Sequence, residues 1–186
     1  ENGGDSINSV VSEYYPTMTI DGTQLIITRR TRGSADEDFF LSVLAGGRWG
    51  KAVPLTGKIN TNYKEGAQQI TPDGNWMVFS AKDYPEGLGS FDIYFAYQTE
   101  SGWSERKHAG SVINSEYWES APCLSPDKRQ LYFASDREGG FGGTDLYVST
   151  RLSNGKWTAP QNLGPVINTS GDESCPFMHA DNETLY

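Results

Sequence analysis

The 186-residue chain is 36% hydrophobic and 12% aromatic, contains 21 glycines and carries a formal charge of −9. No apolar run approaches the roughly 18 residues of a membrane-spanning helix. Lysine and arginine are scattered singly or in pairs and form no run, which argues against the basic stripe of a nucleic-acid binder.

Residues 1–12 contain Ser6-Ile7-Asn8-Ser9 and read as the close of a repeat that starts further upstream. The first full repeat is residues 13–64. Its predicted strands begin after Glu13, at Leu25-Ile26-Ile27, at Phe39-Phe40-Leu41 and at Trp49, with a turn at Asp21-Gly22. Residues 65–118 repeat the pattern with Met77-Val78-Phe79, Ile93-Tyr94-Phe95 and Trp103, turning at Pro72-Asp73-Gly74. Residues 119–172 do so again with Leu131-Tyr132-Phe133, Leu146-Tyr147-Val148 and Trp157, turning at Pro126-Asp127-Lys128. Proline presets φ in such turns, and Asp or Gly tolerates the bend. Residues 173–186 open a further repeat and stop within its second strand.

Several markers keep one register. Trp49, Trp103 and Trp157 stand 54 residues apart, as do Asn60, Asn114 and Asn168, each preceded by Ile and followed by Thr or Ser. Asp21, Asp73, Asp127 and Asp181 follow at 52, 54 and 54, and Glu13, Glu65, Glu119 and Glu173 keep the same series. No helical period persists for the ten or so residues a helix requires. A four-stranded meander of this size cannot bury both faces alone, and radial stacking of copies solves that. The chain is therefore expected to be all-β: a β-propeller of four-stranded antiparallel blades, about three full blades with flanking fragments. A β-solenoid is the competing repeat fold, with shorter coils.

The third repeat carries Ser125-Pro126-Asp127, Leu131-Tyr132-Phe133-Ala134-Ser135-Asp136-Arg137, Gly139-Gly140-Phe141-Gly142-Gly143-Thr144-Asp145 and Leu163-Gly164-Pro165-Val166-Ile167-Asn168-Thr169. These residues resemble the PD40 (WD40-like) repeat of TolB-type propellers, in the version found in OmpA-family periplasmic proteins of Bacteroidota. Repeat one departs from the pattern, with Ile20 in place of the Ser-Pro pair, and repeat two keeps only Gly87 and Gly89 in its loop. The resemblance implies a periplasmic, outer-membrane-associated interaction module, in some relatives part of the type IX secretion apparatus. It implies other envelope proteins as partners, and peptidoglycan only through a domain outside these 186 residues.

Asp38, Asp92 and Asp145 recur before each third strand, where an acceptor for turn amides is expected. Gly139–Gly143 reads as a turn requiring positive φ, since no helix follows to hold phosphate. The Glu series admits two readings. If the strand after each Glu is innermost, Glu13, Glu65, Glu119 and Glu173 ring one mouth of the channel and bind a cation or a basic segment. Otherwise each accepts hydrogen bonds as a repeated latch. Tyr14, Tyr15, Tyr63, Tyr117 and Trp118 cluster beside the glutamates in sequence, as contact anchors or as packing. The Trp series is expected to pack in or between blades.

Cys123 and Cys175 are either bridged or free. Only two histidines occur, His108 and His179, without metal-ligand spacing, and no Gly-x-Ser-x-Gly elbow is present. Paired carboxylates such as Asp36 and Asp38 keep a glycosidase as the enzyme alternative. The chain is read as non-enzymatic, with no cofactor, no metal and no nucleic-acid partner. The runner-up function is a carbohydrate- or peptide-binding propeller.

Overall fold

The computed structural model describes residues 3–30 and 37–186. Among them no helix forms, and the strands build three antiparallel four-stranded blades of a β-propeller. The first blade contains β1 (Glu13–Met18), β2 (Gln24–Arg30) and β3 (Glu37–Ala45), with an outer strand in two pieces, β4 (Arg48–Trp49) and β5 (Val53–Pro54). The second contains β6 (Lys64–Ile70), β7 (Trp76–Lys82), β8 (Asp92–Thr99), β9 (Gly102–Trp103) and β10 (Lys107–His108). The third contains β11 (Glu119–Leu124), β12 (Gln130–Ser135), β13 (Asp145–Thr150) and β14 (Gln161–Asn162). Beyond it, Met178 pairs with Leu185 across the turn at Asp181. Asp36 lies outside the described residues.

The middle strands explain why the sequence shows apolar runs rather than alternation. In β7, Met77, Phe79 and Ala81 pack towards the first blade with Ile26, Phe39 and Ile59, while Val78 packs the other way with Leu131 and Phe133. In β12, Leu131 and Phe133 face the second blade, and Tyr132 faces Met178 and Leu185. A strand buried on both faces needs apolar residues at every position. Each fully buried large side chain contributes about 1.5–3 kcal/mol of transfer free energy, so the junctions between blades hold most of the core.

The outer strand departs from the expected continuous run starting at Trp. Trp49 and Trp103 pair with the end of the third strand, and pairing resumes only at Val53 and Lys107. The first blade splits at Gly50, and in the second and third a hydroxyl interrupts the ladder: Tyr97 N donates to Ser104 Oγ at 3.0 Å, and Thr150 N to Thr158 Oγ1 at 2.9 Å. Such side-chain bonds compete with regular strand pairing. The tryptophans do pack between blades. Trp103 is buried in the first junction, and the Trp157 ring lies flat on Phe95, with centroids 5.8 Å apart.

The Asn series clamps each blade. Asn60, Asn114 and Asn168 use the side-chain amide as a strand would use its backbone. Ile93 N donates to Asn114 Oδ1 (2.7 Å) and Asn114 Nδ2 donates to Ile93 O (3.0 Å). Phe39 with Asn60 and Leu146 with Asn168 repeat the pair. The chain beyond each Asn then meets the start of the third strand in a parallel bridge, at Glu37–Lys64, Phe91–Trp118 and Thr144–Asp172. These bridges set one blade beside the next.

Asp92 accepts from the Leu88 and Gly89 amides, and Asp145 from those of Phe141 and Gly142. The glycines of the third loop serve close approach more than backbone handedness. Only Gly139 has positive φ, whereas a Cβ at Gly140 would stand 2.4 Å from Asp145 Oδ2 and one at Gly142 2.1 Å from Gly171 O.

Replacing Asn114 with Ala leaves the buried Ile93 N–H without a partner, at about 1–3 kcal/mol, while the Ile93 carbonyl keeps the Ala109 amide at 3.0 Å. Urea unfolding of Asn114→Ala is expected to show a loss of roughly 1–3 kcal/mol, against almost none for Val112→Ala at an exposed position of the same link.

Candidate functional site

The first strands of successive blades lie side by side, β1 against β6 and β6 against β11, and form the concave inner wall of the propeller. Each begins at its Glu. Every one of the four glutamates accepts a hydrogen bond from the Ser or Thr four residues earlier: Ser9, Thr61, Ser115 and Thr169. The amides of Ser9, Ser115 and Thr169 add bonds of 3.0, 2.8 and 2.9 Å. The motif Ile-Asn-Ser/Thr-x-x-x-Glu is thus one folded link, in which Asn grips the third strand and Glu closes the turn behind it.

Of the two readings of the glutamate series, this placement fits the hydrogen-bonded latch and not a carboxylate ring at the mouth. Glu65 and Glu119 are fully buried and present nothing to a partner, while Glu13 and Glu173 are half-buried and engaged in the same bonds. The physical reason is the turn itself, which points the side chain back at its own link.

The four links differ in how they neutralise the carboxylate. Arg29 Nε lies 2.9 Å from Glu13, and an Arg137 guanidinium nitrogen 3.0 Å from Glu119, where Ser135 Oγ also donates. Glu65 has no cation among the described residues. Its Oε1 accepts from the Thr61 and Tyr84 hydroxyls, and its buried Oε2 has no partner. Burial pushes this carboxyl up to about 7, against the lowering effect of the two hydroxyls and with some help from nearby Asp38. The same burial, together with the Glu65 charge, raises the Tyr84 phenol.

The aromatic residues beside the glutamates do not form one patch. The Tyr14 ring contacts Tyr15, and burial and its bond to Glu37 raise its phenol. Tyr63 packs edge-on against Tyr84 at 4.8 Å, on the core of the first junction. Tyr117 and Trp118 are half-buried in the next link. There Ser90 N donates to the Tyr117 carbonyl, and Trp118 N donates to Asp136 at 2.7 Å. No ring contact joins Tyr63 to Tyr117 or Trp118 among the described residues.

Sequence reasoning missed the feature that shapes the inner wall. Two residues after each Glu the backbone turns left-handed, at Tyr15 (φ 51°), Ala67 (49°), Ala121 (48°) and Cys175 (56°). Pairing slips at the same points in β1, β6 and β11, which is the mark of a β-bulge. Tyr, Ala, Ala and Cys share no side-chain property, so composition carries no sign of it. The only available signal was the fixed offset from Glu.

Past the bulge, one side chain of each inner strand reaches the next blade. Ile70 N donates to Thr17 Oγ1 (3.2 Å), Leu124 N to Gln69 Oε1 (2.9 Å) and Met178 N to Cys123 Sγ (3.2 Å). Cys123 is free and buried, and burial lifts its thiol to about 11. Cys175, also free, sits exposed on the wall.

The wall encloses a cavity of about 460 Å³ running from the bulges to the first-hairpin turns. Tyr15, Met18, Ile20, Ala67, Pro72 and Phe177 line it among other uncharged residues, and no charged side chain does. Ile20 is 71% exposed, Phe177 52% and Met18 50%. Among the described residues no three His, Cys, Asp or Glu side chains group to hold a metal, and no helix is long and apolar enough to cross a membrane.

Glu65 makes stability depend on pH. Its folded pKa stands above the ordinary value, so its contribution is complete below about 4.5 and lost as pH rises through about 7. Denaturant titrations of wild type and Glu65→Gln are expected to diverge over this window. The substitution should gain up to roughly 3 kcal/mol relative to wild type by pH 8.

No family model and no curated protein matches the chain in sequence. Solved structures do match in shape. TolB from Acinetobacter baumannii superposes with a TM-score of 0.59 at 17% identity, over 96% of this chain and 38% of that one. A putative TolB from Agrobacterium tumefaciens gives 0.61 at 14% identity, over 96% and 59%. Kuenenia stuttgartiensis hydrazine synthase gives 0.53 at 14%, over 97% and 56%. The chain therefore spans less than two thirds of the length of these proteins, and the likeness at such identities is one of fold alone, that of a β-propeller.

Proposed function

We propose that the chain is a non-enzymatic interaction scaffold of the bacterial cell envelope, working in the periplasm and holding other envelope proteins against its inner wall. The observation that carries this reading is the uncharged concave cavity, with Met18, Ile20 and Phe177 left about half exposed or more. Contiguous exposed apolar surface of this kind is costly in water and marks a contact site. The cavity offers a partner apolar area and brings no acid, base or nucleophile pair to one point. The periplasmic setting rests on the PD40 resemblance, and so does membership of an outer-membrane-associated assembly such as a secretion apparatus. Fold likeness alone supports neither, because propellers host unrelated functions.

The test is capture of solubilised envelope proteins on the immobilised chain, compared with Phe177→Glu and Met18→Glu and quantified by mass spectrometry. A defined set of envelope proteins is expected on wild type and depleted about tenfold or more on either variant, the effect of losing a central apolar anchor. Equal capture by the variants, binding confined to glycans on an array, or hydrolysis of a glycan or peptide substrate would each defeat the proposal.

A further inference from the structure

A second concavity, of about 440 Å³, lies outside the inner wall at the junction of the second and third blades. Its apolar floor comes from Trp76, Phe95 and Tyr97 of the second blade and Trp157 of the third, and its cations are Lys107, Arg151 and Lys156. The rings are locked. Trp157 lies 3° from parallel with Phe95, and Tyr97 stands edge-on to Trp76 at 4.8 Å. The Arg151 guanidinium sits 4.7 Å over the Trp76 ring. Among the described residues none of the three cations forms an ion pair, and the Arg151 guanidinium makes no hydrogen bond. Three unpaired cations around one apolar hollow stand out in a chain of net charge −9.

The repeat itself does not demand this set. Where Arg151 pairs with Trp157, the other two blades place Leu44 opposite Trp49 and Gln98 opposite Trp103. Where Trp76 pairs with Tyr97, they place Gln24 with Val43 and Gln130 with Thr150. Where Lys107 pairs with Phe95, they place Val53 with Leu41 and Gln161 with Val148. Blades of the same geometry are thus built without the cations or the extra rings, so neither is a packing requirement.

We propose that this groove binds an acidic peptide segment of a partner protein, its carboxylates meeting Arg151, Lys107 and Lys156 and its apolar side chains lying on the aromatic floor. Charge complementarity selects an anionic occupant. Arg held on an aromatic face keeps its planar donor fork organised for a carboxylate. A peptide suits the hollow better than an anionic glycan. Sugar rings need free aromatic faces, and here one face of Trp76 is covered by Arg151 and one of Trp157 by Phe95. Exposed Val112 at the groove adds a contact for an aliphatic side chain. The site is independent of the inner wall and stands whether or not that surface binds envelope proteins.

The test is selection of the intact chain against a random library of 12-residue peptides, followed by affinity measurement on the enriched sequences. Oligogalacturonate is run beside them as the anionic-glycan probe. Enrichment of peptides combining Asp or Glu with apolar residues is expected. Their affinity should fall about tenfold or more in Arg151→Gln and in Lys107→Gln/Lys156→Gln, and weaken with added salt. Lys51→Gln, outside the groove, and Phe177→Glu, on the inner wall, should leave it unchanged. The proposal is overturned by enrichment of neutral or basic peptides, by no enrichment, by unchanged affinity in Arg151→Gln, or by oligogalacturonate binding that displaces the peptides.

Discussion

A four-stranded sheet with two apolar faces is stable only between neighbours, and that constraint governs this chain. The middle strands bury Met77 and Phe79 on one side and Val78 on the other, so no blade completes its own core. Everything else in the repeat serves to hold one sheet beside the next at the right spacing. The link Ile-Asn-Ser/Thr-x-x-x-Glu does this with side-chain groups standing in for strand backbone. Ile59 and Ile113 fill the junctions they follow, Asn completes the third strand's hydrogen bonds, and Glu fixes the turn into the next inner strand.

The link tolerates one local conflict. At Glu13 and Glu119 an arginine balances the buried charge, whereas Glu65 relies on two hydroxyls. Burying an unpaired charge is costly unless the group takes up a proton, and the elevated pKa of Glu65 is that response. The inner wall shows the reverse situation. Its bulges spend backbone strain at Tyr15, Ala67, Ala121 and Cys175, and in return Thr17, Gln69 and Cys123 each reach the following blade. Three chemically unlike acceptors perform one task because the receiving amide requires only a lone pair at the right distance.

The strands, their grouping in fours and the Trp and Asn series were legible in the sequence, because each depends on residue type at a fixed spacing. Asp92 and Asp145 were legible as turn acceptors for the same reason. The glutamates were legible as a series but not in direction: whether they face the channel or their own link depends on the Ser9, Thr61, Ser115 and Thr169 turns closing on them. The bulges were hidden, since Tyr, Ala and Cys give no reason for a left-handed φ. The split of the outer strand was hidden too, since it recurs with Gly50, Ser104 and Thr158 after the Trp and no one residue type marks it. The groove at Trp76 and Arg151 draws on residues some 75 positions apart in sequence, which only the stacking of two blades brings together.

Mutual burial of the blades is most directly tested by native-state hydrogen exchange of the intact chain, read at Val78 and Phe79 in β7 and at Tyr132 and Phe133 in β12. If neighbouring sheets complete one another, these amides open together with one free energy and one denaturant dependence. Separate openings, with β12 exchanging at its own much lower free energy while β7 stays closed, would contradict the account.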